Sequence, residues 1–134
     1  MIKDITKEKI QLELGRGNES LKSAELNLRE GLFDESVSSA YYAMFHSVKA
    51  VLLTLDQEPS THHGVVTLFG MHFIKSGIIE REYSDLFVEA KDDREESDYN
   101  VTRKFTKSEA EITLAASKKM TARLADYLKQ ASFL

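Results

Sequence analysis

The chain has 134 residues, of which 42% are hydrophobic and 30% charged, a composition typical of one globular domain rather than of a disordered segment. It contains no cysteine, which excludes disulfides, thiolate metal sites and cysteine nucleophiles. The formal net charge of −4 disfavours a protein that holds nucleic acid over a broad surface. Any contact with RNA must therefore use a local patch.

Neither a targeting segment nor a membrane helix is apparent in the sequence. The stretch from Met1 to Lys9 is charged throughout and lacks the apolar core of a signal peptide. No run approaches the ~18 apolar residues that a membrane span requires. Together with the absence of cysteine, these features predict a cytoplasmic protein without a membrane span.

Two long amphipathic helices are predicted in the first half of the chain. The first runs from Thr6 to Glu30, with Gly15 and Gly17 as weak points where it can bend. Its buried face, in steps of three and four residues, consists of Ile10, Leu14, Gly17, Leu21, Ala24 and Leu28. After a stop at Gly31, a second helix runs from Phe33 to about Leu55. The short link predicts an antiparallel helical hairpin.

A third and a fourth helix are predicted after the loop that contains the only proline, Pro59. Ser60 or Thr61 can cap the third helix, and Ser76–Gly77 ends it. The third helix is expected to bury Val65, Val66, Leu68, Phe69 and Phe73. The fourth helix runs from Ile79 to about Tyr99, and its inward positions are Ile79, Tyr83, Leu86, Phe87 and Ala90.

A fifth helix is predicted after the basic loop Asn100–Lys107. Thr106 and Glu109 have the spacing of a capping box, in which a hydroxyl caps the helix and a carboxylate three residues later binds back. The buried side of this helix is predicted to contain Ile112, Ala116, Met120, Leu124 and Leu128. These patterns predict an all-α fold, an up-and-down bundle of four to five helices that forms a single domain over residues 1–134.

The histidines do not have the spacing of a metal site. There are four, at His46, His62, His63 and His72. A helical metal pair needs a spacing of three or four residues, whereas His63 and His72 are nine apart and lie on nearly opposite faces. We therefore predict no metal and no other cofactor, and we interpret His62 or His63 as a surface residue of a first helical turn.

An aromatic cluster on the second helix is a candidate site. Tyr41 and Phe45 fit the packing of a core. Tyr42 and His46 are four residues apart, share one face and lie away from the centre of the apolar stripe. These two side chains could line either a groove or a subunit contact.

Arg94 is the residue that stands out in the charged end of the fourth helix. Its position continues the inward phase of Tyr83 and Ala90, and a guanidinium on that phase needs a carboxylate or an anion as its partner. Asp98, four residues later, is one such carboxylate. The rest of the charged run has the composition of a solvated helix surface.

The sequence also resembles a known family. The segment Ser39–Leu53 is similar to the second helix of small stand-alone HEPN-domain proteins of bacteria and archaea, and Gly31–Asp34 resembles the link before it. Two shorter strings resemble the same branch: His63 with Val65 and Phe69, and Arg94 with Ser97-Asp98-Tyr99. The resemblance extends from about residue 9 to residue 129.

The resemblance implies a helical bundle that forms homodimers and acts as a toxin beside a minimal nucleotidyltransferase. Active members of the family are metal-independent endoribonucleases, whose motif is an Arg, often with a polar neighbour, followed after four to six residues by a His. In the dimer the two motifs meet in a cleft. Arg94 matches the Arg and Glu95 the polar neighbour, while Tyr99 stands where the His would be.

These arguments assign candidate residues to two roles. The predicted catalytic residues are Arg94, Tyr99 and His46. The predicted nucleotide or RNA contacts are Arg94, Glu95, Asp98, Arg103, Lys104 and Tyr42. The resemblance also makes Tyr99 a candidate for adenylylation by the partner. The alternatives are a non-catalytic module that binds a nucleotide or a partner, and a structural dimerisation domain whose acidic run is only solvated surface.

Overall fold

The computed structural model describes residues 3–134, and within them the fold consists of helices and connecting turns without a strand. The helices are α1 (Asp4–Arg29), α2 (Phe33–Leu53), α3 (His62–Phe69), α4 (Arg81–Tyr99) and α5 (Lys107–Gln130). A π-helical turn, Gly70–Ile74, continues α3. The prediction of an all-α bundle is confirmed. No helix among the described residues combines the length and the apolar character needed to cross a bilayer.

Helices α1 and α2 form the predicted hairpin. Gly31 has a φ of 80°, a left-handed conformation that glycine adopts without steric cost, and the N–H of Leu32 donates to the carbonyl of Asn27 at 2.8 Å. Helix α1 is continuous through Gly17. A Cβ at this position would lie 3.3 Å from the carbonyl oxygen of Ala43 on α2. The glycine therefore serves close packing of the two helices.

Helix α2 is the centre of the bundle. Of its 21 residues, 12 are buried, which is more than one face of an amphipathic helix provides. The reason is that α2 contacts each of the other four helices. The hydroxyl of Ser117 on α5 donates to the carbonyl oxygen of Ala40 at 2.8 Å and joins α5 to α2. Large side chains of other elements complete the core around α2: Phe69, Phe73, Phe87, Met120, Leu124 and Leu128.

The third helix begins and ends close to the predicted positions. The Oγ1 of Thr61 accepts a hydrogen bond from the N–H of Gly64 at 2.9 Å, so Thr61 is the cap that the sequence left open between two residues. Gly77 has a φ of 81° and turns the chain toward α4. Ile79 is fully buried after this turn, and its N–H donates to the carbonyl of Phe73 at 2.8 Å.

The predicted capping box of α5 is present. The prediction that Ile112 is buried on the same helix is wrong. Ile112 is 66% exposed, whereas Thr113 and Leu114 are buried. Met120 points into the core. Ile112 lies eight residues before it, a rotation of about 800° around the helix axis, so its side chain is directed roughly 80° away from that of Met120. The buried side of α5 consists of Ala110, Thr113, Leu114, Ser117, Met120, Leu124 and Leu128.

Removal of the α5 cap gives a direct test of this description. Thr106 Oγ1 accepts from the N–H of Glu109, and the Glu109 carboxylate accepts from the N–H of Thr106. Because Thr106→Ala leaves an orphan N–H at the helix start, we expect a loss of about 1 kcal/mol in the free energy of unfolding. Urea denaturation measures it, with the exposed Ser108→Ala as the matched control. Equal stability of the two variants would contradict the assignment.

Candidate functional site

Arg94 is buried where α4 crosses α2. Its side chain is only 9% exposed, and it follows Tyr83, Phe87 and Ala90 along the inward face of α4. The inward phase that the sequence predicted for Arg94 is thus present. A guanidinium removed from water in this way requires polar or aromatic partners, since it cannot lose its charge.

The guanidinium of Arg94 has partners on both helices. Nη1 donates to Asp98 Oδ2 at 3.1 Å and to Tyr42 Oη at 3.5 Å, the second at the outer limit for a hydrogen bond. The charge also lies over the rings of Tyr41 and Tyr42, with 5.4 and 5.7 Å between the guanidinium carbon and the ring centroids. Nε is buried and has no hydrogen-bond partner in residues 3–134. Arg94 therefore keeps a donor that its own surroundings do not use.

A histidine from another helix joins this group of residues. His62, the first residue of α3, lies with Nδ1 2.7 Å from Tyr41 Oη, and its ring stacks on Phe45 with 4.4 Å between centroids. The ring of Tyr42 lies edge-on to His62 at 5.8 Å. We call Arg94, Asp98, Tyr41, Tyr42 and His62 the Arg94 cluster.

The electrostatics of the cluster keep His62 neutral at pH 7. Burial lowers the pKa of His62 below its ordinary value of 6.5, and the positive charges of Arg94 and Lys91 lower it further. Burial also raises the pKa of Tyr41, so this phenol remains protonated. When His62 Nδ1–H donates to Tyr41 Oη, the lone pair of Nε2 is free to accept a proton.

The predicted catalytic residue His46 lies in a separate set of contacts. Its Nδ1–H donates to Glu13 Oε2 at 2.7 Å, and Lys49 Nζ lies 3.4 Å from the other oxygen of Glu13. Burial opposes ionisation of Glu13, but the hydrogen bond from His46 and the charge of Lys49 outweigh it and lower the pKa of the carboxyl. His46 is thus held by α1, and no described contact joins it to Arg94.

Tyr42 connects the Arg94 cluster to a polar groove between α1 and α2. The groove has a volume of about 310 Å³, and it is lined by Arg16, Glu19, Ser20, Ser23, Ser39, Tyr42 and His46. Tyr42 and His46, which share one face of α2, both line this groove. Tyr42 belongs to both places, since its hydroxyl lies near Arg94.

Neither Tyr99 nor Glu95, the other candidates on α4, forms a hydrogen bond or an ion pair with Arg94 within residues 3–134. Tyr99 is 80% exposed, and five residues along a helix correspond to about 140° of rotation from Arg94. Glu95 pairs with Lys91 at 2.6 Å, which lowers the pKa of the Glu95 carboxyl. Asp98, which the sequence predicts as a carboxylate partner of Arg94, is the candidate on α4 that pairs with it.

The basic loop before α5 uses its arginine for local structure. Arg103 Nη2 lies 2.6 Å from Glu109 Oε2, Nη1 donates to the carbonyl of Lys104 at 2.7 Å, and the guanidinium lies 4.0 Å from the ring centroid of Phe105. The hydrogen bond from Arg103 lowers the pKa of Glu109 to about 2, with help from the Thr106 amide. Lys104 is exposed. The structure does not bring either basic residue to Arg94.

His62 is the residue of the cluster that the sequence analysis missed. Of the two neighbouring histidines, His63 is the exposed one, whereas His62 turns toward α2. Its position after the capping residue Thr61 was visible in the sequence, but its contact with Tyr41 depends on how α3 packs on α2. Within residues 3–134, no three His, Asp or Glu side chains converge as a metal ion would require.

Comparison with known proteins connects this fold to a family. The family model of the HEPN domain matches residues 10–127. A Methanocaldococcus jannaschii protein named "Putative toxin MJ0605" is 36% identical over 128 residues, which are 96% of this chain and 94% of that protein. "Putative toxin MJ0142" of the same organism is 34% identical over 108 residues, 81% of this chain and 74% of its own length. "UPF0332 protein glr0978" of Gloeobacter violaceus is 31% identical over 118 residues, 87% and 94% of the two chains.

The resemblance that the second-helix and Arg94 segments predicted is therefore confirmed over most of the chain. The matched range contains α2, the Arg94 cluster and most of α5. The chain belongs to the HEPN domain family.

Proposed function

We propose that this protein is the toxin of a toxin–antitoxin pair and cleaves RNA without a metal, with the Arg94 cluster as its active site. The observation that carries the proposal is the buried Arg94 guanidinium, with its unpartnered Nε, in one cluster with a neutral histidine. Two relatives named as toxins support the biological setting. We propose further that the chain acts as a single domain, as a homodimer, in the cytoplasm.

The proposed reaction uses two groups of the cluster. His62 Nε2 takes the proton of a ribose 2′-hydroxyl, and the 2′-oxygen attacks the adjacent phosphorus while the bond to the 5′-oxygen breaks. Arg94 donates hydrogen bonds to the phosphoryl oxygens, on which negative charge grows in the transition state. The products are a 2′,3′-cyclic phosphate and a 5′-hydroxyl; the 5′-oxygen takes its proton from water as it leaves, and His62 later returns to water the proton that it accepted.

His62 suits the role of proton acceptor better than Tyr99 or His46. A free phenol with a pKa of ~10 is a weak base at neutral pH, and Tyr99 is directed away from Arg94. His46 is engaged with Glu13 on α1. Asp98 would orient the guanidinium, and Tyr42 would connect it to the polar groove along which Arg16 and the serines could contact a strand.

We propose a minimal nucleotidyltransferase as the antitoxin. The family resemblance suggests this partner, and Tyr99 is the one exposed tyrosine among residues 3–134. Transfer of a nucleotidyl group would form a bond from Tyr99 Oη to the α-phosphorus and release pyrophosphate. A non-catalytic partner-binding module is the second candidate, favoured by the fact that Asp98 already occupies Nη1 of Arg94.

RNA cleavage is the first test of the proposal. Arg94→Ala should reduce the cleavage rate by about 10²–10³-fold, because the developing phosphoryl charge loses its donor. His62→Gln should reduce it by about 10²–10⁴-fold through loss of the base. Arg81→Ala, at the exposed start of α4, and His63→Gln, at the exposed residue after His62, are matched controls and should cleave like wild type. Circular dichroism verifies that each variant folds. Equal rates in all four variants would refute this active site, and absence of cleavage by the wild type would favour the non-catalytic module.

The protonation of His62 gives a second test that does not require activity. Since burial and Arg94 lower its pKa, the unfolded chain binds a proton at His62 at a higher pH than the folded chain does. The free energy of unfolding should therefore fall as the pH drops below about 6.5. Urea unfolding over this range should show a smaller slope for His62→Gln than for the wild type or His63→Gln. Identical slopes would mean that His62 is not held neutral.

Modification by the partner is tested by co-expression with the minimal nucleotidyltransferase encoded beside this chain, where there is one. The two proteins should co-purify, and the intact mass of this chain should increase by one or more nucleotidyl groups. Tyr99→Phe should abolish the increase, while Tyr127→Phe, at a half-buried tyrosine, should preserve it. A mass increase that survives Tyr99→Phe would assign the modification to another residue.

A further inference from the structure

A groove runs between α4 and α5. Its floor is apolar and its edge is acidic, and it has a volume of about 190 Å³. The apolar residues are Leu86, Ala90, Ile112 and Ala116, and the acidic residues are Glu89, Asp93 and Glu109. Ile112 is one of the lining residues and is 66% exposed, so the groove presents a large aliphatic side chain to water.

The acidic edge is not neutralised by the chain itself. Glu109 pairs with Arg103, but neither Glu89 nor Asp93 forms an ion pair or a side-chain hydrogen bond within residues 3–134. Burial and the nearby charge of Glu89 raise the pKa of Asp93, and the charge of Arg103 offsets this only in part. A further cation brought to this edge would favour the ionised carboxylate.

We propose that this groove binds a cationic amphipathic segment of a different protein. An apolar side chain of that segment would enter the groove beside Ile112, and flanking lysines or arginines would reach Glu89 and Asp93. A cavity of ~150 Å³ accommodates a benzene ring, so a groove of this volume can take a leucine or phenylalanine side chain. The lining of α4 extends over two helical turns, ~11 Å, which matches a short helix of the partner.

The negative charge of the groove edge favours a cationic segment over RNA and over a second copy of this chain. RNA is disfavoured because its phosphates would face the carboxylates of Glu89 and Asp93. A second copy is disfavoured because a two-fold contact centred on the groove would set the same carboxylates against each other. Arg94 does not line the groove, and Asp93, the acidic residue beside it in sequence, is rotated from it by about 100° around α4. The inference does not depend on RNA cleavage.

Synthetic peptides of about three helical turns test the inference on the full-length chain. The first peptide carries leucines on one face and lysines beside them, the second has glutamates in place of the lysines, and the third has serines in place of the leucines. NMR titration should give amide shifts confined to α4 and α5 for the first peptide alone. Binding of the second or third peptide with equal affinity, shifts elsewhere on the chain, or no binding of any peptide would overturn the proposal.

Two substitutions distinguish the contribution of the apolar lining of the groove to peptide binding from that of its acidic edge. Ile112→Ser should weaken binding of the first peptide by about tenfold or more, since an apolar contact is lost. Asp93→Asn should weaken it by about two- to fivefold and reduce its dependence on salt. Leu12→Ser on α1 and Asp85→Asn on α4 alter exposed residues outside the groove and should bind like wild type. Unchanged binding by Ile112→Ser, or self-association of the wild type that Ile112→Ser abolishes, would refute the proposed occupant.

Discussion

A guanidinium that leaves water must find other partners, and the packing of α4 against α2 provides them for Arg94. Two tyrosine rings of α2 lie beside its charge, and Asp98 and Tyr42 accept from Nη1. A shift of α4 along α2 would separate the charge from Tyr41 and Tyr42 and leave Asp98, on α4 itself, as its remaining partner, which is unfavourable for a buried charge. The buried arginine therefore constrains the register of the two helices as well as the chemistry between them.

Tyr41 links the two groups that we propose for catalysis. Its ring lies near the Arg94 guanidinium, and its hydroxyl contacts His62. The Thr61 cap fixes the start of α3, and thus the backbone from which His62 extends. Both groups therefore contact Tyr41, a fully buried residue of α2. A site supported by packed helices in this way needs little reorganisation when a substrate binds.

The helices and the phase of Arg94 could be predicted from the sequence because both are local properties. A period of 3.6 residues is readable in any window, and the capping box of α5 spans only four residues. Ile112 shows the limit of the method, since a small error of phase accumulates over two turns and reverses burial. His62 shows another limit: its contact with Tyr41 joins residues of two helices that are 21 positions apart in the sequence, and no local pattern reports it. Tyr99 aligns with the family motif in sequence, but the rotation of a helix directs it elsewhere.

The distribution of charge explains how an acidic chain could act on RNA. Several basic side chains are already paired with carboxylates, as in Lys118–Glu25, Lys119–Glu82, Arg123–Glu80 and Arg103–Glu109. These pairs, together with the formal net charge of −4, leave little long-range attraction for a polyanion. Specific binding must then come from a few buried donors such as Arg94, where desolvation strengthens each contact. Helix α4 also carries Glu89 and Asp93, neither of which forms an ion pair within residues 3–134. The two sites that we propose on this helix therefore differ in the charge of the ligand that they suit, an anion at Arg94 and a cation at the groove.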